Sequence, residues 1–222
     1  MSRQVSFLSP ESEAERLERM QRYERTLYQQ GVEYIAGVDE AGRGCLAGPV
    51  VAAAVILPHE WTVWEVNDSK QLTASKREEL FSLIQEHVVS YGVGIIPETV
   101  IDTVNILQAT YRAMEQAIAA LDTTPQYLLL DAVTLKNVHI PQRGIPKGDR
   151  LSMSIAAASI IAKVTRDRLM ITYDKQYPAY GFACHKGYGT KQHLQAIATH
   201  GPCPIHRKTF RGVKEYLVVR NS

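Results

Sequence analysis

Two short β-branched runs, Tyr34–Val38 and Val50–Leu57, flank a polar break rich in glycine. Alternation and β-branching predict a strand for each run, and the glycines predict a tight connection between them. Upstream, residues 1–33 read as a leader and one helix. Ser9 suits its N-cap, Pro10 its first position and Gly31 its end. Leu17, Met20, Tyr23 and Leu27 share a stripe, while the other faces alternate Arg and Glu as a solvated surface does. A packed appendage without chemistry is expected there.

Downstream, Asn67–Lys70 reads as a polar turn, and Ser75–Glu78 fits a capping box opening a helix with Leu80, Ile84 and Val88 on one stripe. Val89–Ile96 reads as a third strand. Pro97 then opens one long helix whose stripe runs from Val100 through Tyr111 and Met114 to Leu121, a spacing that denotes core packing. Tyr127–Asp131 is another buried strand, Lys136–Pro146 an irregular loop, and Ser152–Met170 an alanine-rich helix able to lie close against a sheet.

The 222 residues, 45% of them hydrophobic, suffice for one large domain, or a domain with an appendage. No apolar run approaches the ~20 residues of a membrane span, and the charged stretch over residues 11–30 does not fit a signal peptide. Cys45, Cys184 and Cys203 are odd in number and far apart, which suits a reducing compartment; a cytoplasmic monomer is the expectation. The net charge of +2 conceals an asymmetry. Residues 1–131 hold 10 basic and 19 acidic side chains, a net −9, whereas residues 132–222 hold 15 and 4, a net +11. The second half calls for a polyanionic partner.

The chemistry is concentrated where strands end. Asp39 and Glu40 close the first run; adjacent carboxylates repel and resist burial unless a hard cation such as Mg²⁺ compensates them. Because strand residues alternate faces, Glu40 joins Asp39 at one metal only if the strand stops there, or through its main-chain carbonyl. Gly42-Arg43-Gly44 follows, a turn able to present amides and a guanidinium to a phosphate. Gly42–Ala47 formally fits a dinucleotide fingerprint, but a β-type run follows where a helix must open, which excludes it. Asp131 ends its strand in the same manner as Asp39, and Asp149 precedes the alanine-rich helix, where the helix dipole alone accounts for an acid. The glycine-rich loop Gly181–Thr190 carries Tyr188, which suits stacking on a sugar or base. His206–Arg211 reads as a solvated basic run. Cys184, His185, Cys203 and His206 are the remaining soft ligands, without the spacing of a zinc site.

In order along the chain, Gly37–Gly44, Asn67–Lys70, Leu130-Asp131, Lys147–Asp149, Ala156–Asp167 and His185–Thr190 resemble the motifs of bacterial ribonuclease HII, from about Tyr34 to Phe210. The resemblance implies an α/β RNase H-like fold, a mixed central sheet flanked by helices. The N-terminal helical extension over residues 1–33, read from its own residues, lies outside the resemblance and precedes an expected catalytic domain over 34–222 with a basic, helical C-terminal part. The resemblance implies cleavage on the 5′ side of ribonucleotides in RNA–DNA hybrids, and of single ribonucleotides in duplex DNA, with two Mg²⁺ or Mn²⁺ ions as cofactors and nucleic acid as partner. Carried over by motif, Asp39, Glu40, Asp131 and Asp149 are the catalytic, metal-binding acids. Gly42, Arg43 and Gly44 read phosphate and 2′-hydroxyl, and Tyr188 stacks at the RNA–DNA junction. Lys147 and Lys163, within two of the motifs, are expected on the substrate-binding side.

Overall fold

A computed structural model describes residues 12–61 and 72–217. The expected turn at Asn67–Lys70, and Ser9 and Pro10, lie outside them. The N-terminal segment forms two helices rather than one, α1 (Glu13–Met20) and α2 (Arg22–Gln29). Ser12 caps α1 in a reciprocal capping box with Glu15, three residues later than the expected cap. Next come β1 (Ile35–Ala41), β2 (Val50–Ile56), α3 (Ala74–His87), β3 (Ser90–Ile96), α4 (Glu98–Val104) and α5 (Ile106–Ala119). Thr73, not Ser75, caps α3 by accepting from the Lys76 amide. The long helix expected after Pro97 is broken at Asn105, whose φ of 71° ends α4 while its side chain caps α5. The remainder comprises β4 (Tyr127–Asp131), β5 (Gln142–Ile145), α6 (Met153–Gln176), α7 (Phe182–His185) and α8 (Lys191–His200).

The five strands form one mixed sheet in the order β3-β2-β1-β4-β5. β1, β2 and β3 form an antiparallel meander, while β4 and β5 run parallel to β1. β5 replaces part of the expected irregular loop; its four residues carry no alternation, and β4 supplies the ladder that orders them. Side chains of alternate strand residues feed two cores. On one face Ala53 and Val55 pack with Leu80 and Ile84 of α3 and with Ala156, Ala157 and Ile160 of α6. On the other, Val38, Ala54 and Leu130 pack with Ala109, Ala113 and Met114 of α5.

α6 owes its depth to Gly37. A Cβ there would lie 2.0 Å from the Ser154 carbonyl carbon and 2.3 Å from the Ile155 nitrogen, so only glycine admits the first turn of α6 against β1. That contact is two residues before Asp39, on the same face of the strand.

A third cluster joins Met170, Tyr180, Phe182 and Cys203 to three buried histidines. The Cys203 amide donates to His206 Nδ1 (2.9 Å), so the proton of a neutral His206 sits on Nε2. His206 Nε2 then donates to His193 Nε2 (3.0 Å), and His193 Nδ1 to the Tyr188 carbonyl (2.9 Å). Every donor in this chain has one acceptor only while both rings are neutral.

Two expectations follow. Gly37→Ala should cost at least about 1–3 kcal/mol through overpacking, read as a lowered Tm; an unchanged melt would place α6 farther from the sheet. Burial holds His193 and His206 at about 4, below the usual 6.5, so protons favour the unfolded chain. Their contribution is intact above pH ~6.5 and is lost as pH falls toward ~4. Thermal melts between pH 6.5 and 5, above the ordinary carboxylate range, should therefore show falling stability, with a smaller slope when both histidines are replaced by Gln. Equal slopes would mean that the pair does not titrate with folding.

Candidate active site

Parallel pairing of β1 with β4 sets Val38 beside Leu130, so Asp39 and Asp131 each stand one residue beyond that pair, at the same end of the sheet. Asp131 accepts the Gly148 amide at 2.8 Å, which brings the next residue, the buried Asp149, to the same end. Asp39 is buried and its carboxyl is raised well above the ordinary range. Burial is the main cause, followed by the charges of Glu40, Asp131 and Asp149. All four predicted acids thus lie at one end of the sheet, within electrostatic reach of Asp39, although no three of their side chains among the described residues surround a single point.

Glu40 is placed differently from the other three. β1 continues to Ala41, so the strand does not stop at the acids, and alternation sends the Glu40 side chain to the face opposite Asp39. There it pairs with Arg43 at 3.1 Å. The Glu40 charge nevertheless acts on Asp39 ahead of those of Asp131 and Asp149, so both routes, side chain and main-chain carbonyl, stay open to Glu40.

The Gly42–Pro49 turn rests on two guanidiniums that are wholly buried. Arg207 donates to the carbonyls of Gly42 (2.7 Å), Arg43 (2.8 Å), Gly48 (3.0 Å) and Pro49 (3.2 Å). Arg166 donates to those of Ala47 (3.0 Å), Pro49 (2.9 Å) and Lys186 (2.9 Å). A Cβ on Gly42, where φ is +94°, would lie 2.0 Å from Arg166 Nε. The inner carbonyls are therefore occupied, and no main-chain acceptor among the described residues takes the Arg43 or Gly44 amide. Gly44 and Arg43 are exposed, and a Cβ on Gly44 would meet nothing within 4 Å. The turn has a bonded inner side and an open outer side.

Tyr188 is 42% exposed, with its amide donating to His185 and its carbonyl accepting from His193 and Thr190. Lys163 lies 5.6 Å from the centre of its ring and pairs with Asp167 at 2.7 Å. The Gly187 amide is held by His185, and the Gly187 carbonyl accepts from Leu46, which ties this loop to the turn. Lys147 is exposed in a left-handed conformation (φ 59°), two residues before Asp149.

The expectation of a solvated His206–Arg211 run fails at its first two residues, which are fully buried. Lys208 and Arg211 are exposed. Arg166 and Arg207 were not singled out from the sequence. For Arg166 a signal exists, because Ala158, Ala162, Arg166 and Met170 recur every four residues on a buried stripe, and a cation on such a stripe marks a special position. The soft ligands do not assemble: Cys184 is exposed, and no three His, Cys, Asp or Glu side chains among the described residues already surround a single point. The donor set at Asp39 consists of carboxylate oxygens whose charged forms oppose one another, which fits hard divalent cations. Three free cysteines are present, and no helix among the described residues is long and apolar enough to cross a membrane.

A family model described as Ribonuclease HII matches residues 36–213. The chain is 60% identical over 198 residues to the ribonuclease HII of Ruminiclostridium cellulolyticum, spanning 89% of this chain and 78% of that one. It is 57% identical over 195 residues to that of Geobacter metallireducens, spanning 88% and 92%. Among solved structures, ribonuclease H2 from Pyrococcus horikoshii superposes with a TM-score of 0.71 at 28% identity, over 85% of this chain and 99% of that one. Bst-RNase HIII in complex with Mn²⁺ shares the fold, with a TM-score of 0.64 at 19% identity over 86% and 71%. A match across so much of the chain, on a mixed sheet that delivers acids to one end, decides the family: the chain belongs to ribonuclease HII and is a hydrolase of the ribonuclease H class.

Proposed function

We propose that this chain hydrolyses the phosphodiester on the 5′ side of ribonucleotides, both in RNA–DNA hybrids and at single ribonucleotides in duplex DNA, leaving 3′-hydroxyl and 5′-phosphate ends. The observation that carries the reading is the gathering of Asp39, Glu40, Asp131 and Asp149 at one sheet end, beside a turn whose inner carbonyls are all held. Asp39, Asp131 and Asp149 through carboxylates, and Glu40 through its side chain or its carbonyl, would hold two Mg²⁺ or Mn²⁺ ions. Such ions activate water and stabilise the departing oxygen of an in-line displacement.

The chain's own residues select the substrate. Arg43 and the outward side of the Gly42–Gly44 turn suit a phosphate and its ribose, with two buried cations behind them. A site built to hydrogen-bond a 2′-hydroxyl rejects its absence by ~10⁴–10⁵. The half-exposed Tyr188 ring, flanked by Lys163 on a backbone that His193 holds through the Tyr188 carbonyl, suits stacking on the sugar next to that ribonucleotide. Exposed Lys147, Lys191 and Lys208 suit duplex phosphates, and binding should weaken as salt rises. This reading makes the protein a cytoplasmic monomer that removes ribonucleotides from DNA, in keeping with its three free cysteines.

A labelled DNA duplex with one ribonucleotide, incubated with Mg²⁺ or EDTA beside an all-DNA control, is the direct test. Metal-dependent cutting on the 5′ side of the ribonucleotide alone is expected; cutting of both duplexes would sink the 2′-hydroxyl assignment. Asp131→Asn should abolish turnover and retain substrate binding, and a variant with normal turnover would remove Asp131 from the site. Gly44→Ala should leave the melt unchanged, since its Cβ meets no protein atom, yet lower kcat/KM at least about tenfold by standing between turn and backbone. An undiminished rate would mean that the substrate does not approach Gly44.

A further inference from the structure

The N-terminal helices carry a buried acid that packing alone does not require. Glu24 of α2 is 5% exposed, in a segment whose other acids face solvent. Three donors converge on its Oε1: the Ser152 hydroxyl (2.6 Å), the Ser154 hydroxyl (2.7 Å) and the Ser154 amide (3.0 Å). Burial raises the Glu24 carboxyl above its usual range, so the placement costs stability that an apolar residue of similar size would not. One turn earlier, Arg19 of α1 donates to the Arg150 carbonyl at 2.5 Å.

Both contacts fall on the stretch that holds Asp149. On its N-terminal side, Gly148 is tied to Asp131 through its amide. On its C-terminal side, Ser152 closes the turn by donating its amide to the Gly148 carbonyl (2.9 Å) and caps α6 with its hydroxyl. Asp149 therefore sits in a short arch with one foot on Asp131 and the other on Glu24, and Arg19 grips the residue between. The contacts these two extension residues make run to Arg150, Ser152 and Ser154, so their influence on Asp149 passes through the arch.

We propose that Glu24 and Arg19 are positioning residues, and that the N-terminal extension braces the 148–154 arch so that Asp149 stands correctly against Asp39 and Asp131. This rests on the reading of Asp149 as a metal-binding acid and adds to it a role for a segment that otherwise reads as a passive appendage. Displacing a ligand's supporting partner characteristically costs about 10–100-fold in metal affinity or activity. Substrate binding through the turn and Tyr188 is left intact, because neither touches the arch.

The test uses the full chain with Glu24→Ala, Glu24→Gln, Arg19→Ala and Asp149→Asn. Mn²⁺ binding is measured by calorimetry without substrate, hydrogen exchange is followed over residues 148–155, and kcat and KM are measured on the single-ribonucleotide duplex. Glu24→Ala should weaken Mn²⁺ binding or lower kcat about 10–100-fold, leave KM unchanged and speed exchange in the arch. Arg19→Ala, on a half-buried side chain, should do the same to a smaller extent without threatening the fold. Glu24→Gln keeps an oxygen for the same three donors and should restore most of the loss. A lowered melt with unchanged Mn²⁺ binding and kcat would overturn the brace, as would Glu24→Gln as impaired as Glu24→Ala. Undiminished Mn²⁺ binding and turnover in Asp149→Asn would instead overturn the assignment of Asp149 itself.

Discussion

Two buried guanidiniums with no carboxylate among the described residues in direct contact are the constraint around which this site is built. Arg166 and Arg207 spend their donors on the main-chain carbonyls of the 42–49 turn and of Lys186. Burying a charge this way is costly, and burial together with the like charge of Arg166 pulls Arg207 down to about 10. The return is a turn that cannot collapse inward, because its carbonyls are already bonded. Its outer side is left for an anion, with positive charge fixed behind it.

The four acids state the complementary problem. Charges that oppose ionisation at Asp39 lie on β1, β4 and the arch before α6, three elements that only the assembled sheet brings to one end. A cation attracted to the acids and an anion attracted to the turn are needed at adjoining positions. A phosphodiester carried with divalent ions would satisfy both at once, which is the physical sense of the proposed reaction. The parallel β1–β4 pairing is decisive, since an antiparallel neighbour would put its terminal acid at the other end of the sheet.

Much of this was legible in the sequence because it is local. An acid at the end of an apolar run marks Asp39 and Asp131 whatever the tertiary context, and the glycine-rich break marks the turn. The family resemblance added the expected roles of Asp149 and Tyr188, which spacing left open. What escaped depends on partners far away in the chain. Asn105 splits an apparently continuous stripe by its positive-φ backbone and its side-chain cap on α5. β5 exists only because β4 offers it a ladder. Glu24 and Arg207 look like members of solvated charge runs, because hydrophobic periodicity carries no information on which polar residue a fold encloses. His206 could be read as a metal ligand, yet its two ring nitrogens are occupied by His193 and by the Cys203 amide.

Arg207 lies 164 positions beyond Arg43, whose carbonyl it holds. Contacts of such separation close late, because the intervening chain must be ordered before they can form. The β1–β2 hairpin can therefore pair early while its connecting turn stays unset until the distant arginine docks. The turn is then among the last parts of the molecule to take shape, and a chain with its sheet complete but that arginine undocked would hold its acids beside an unformed turn.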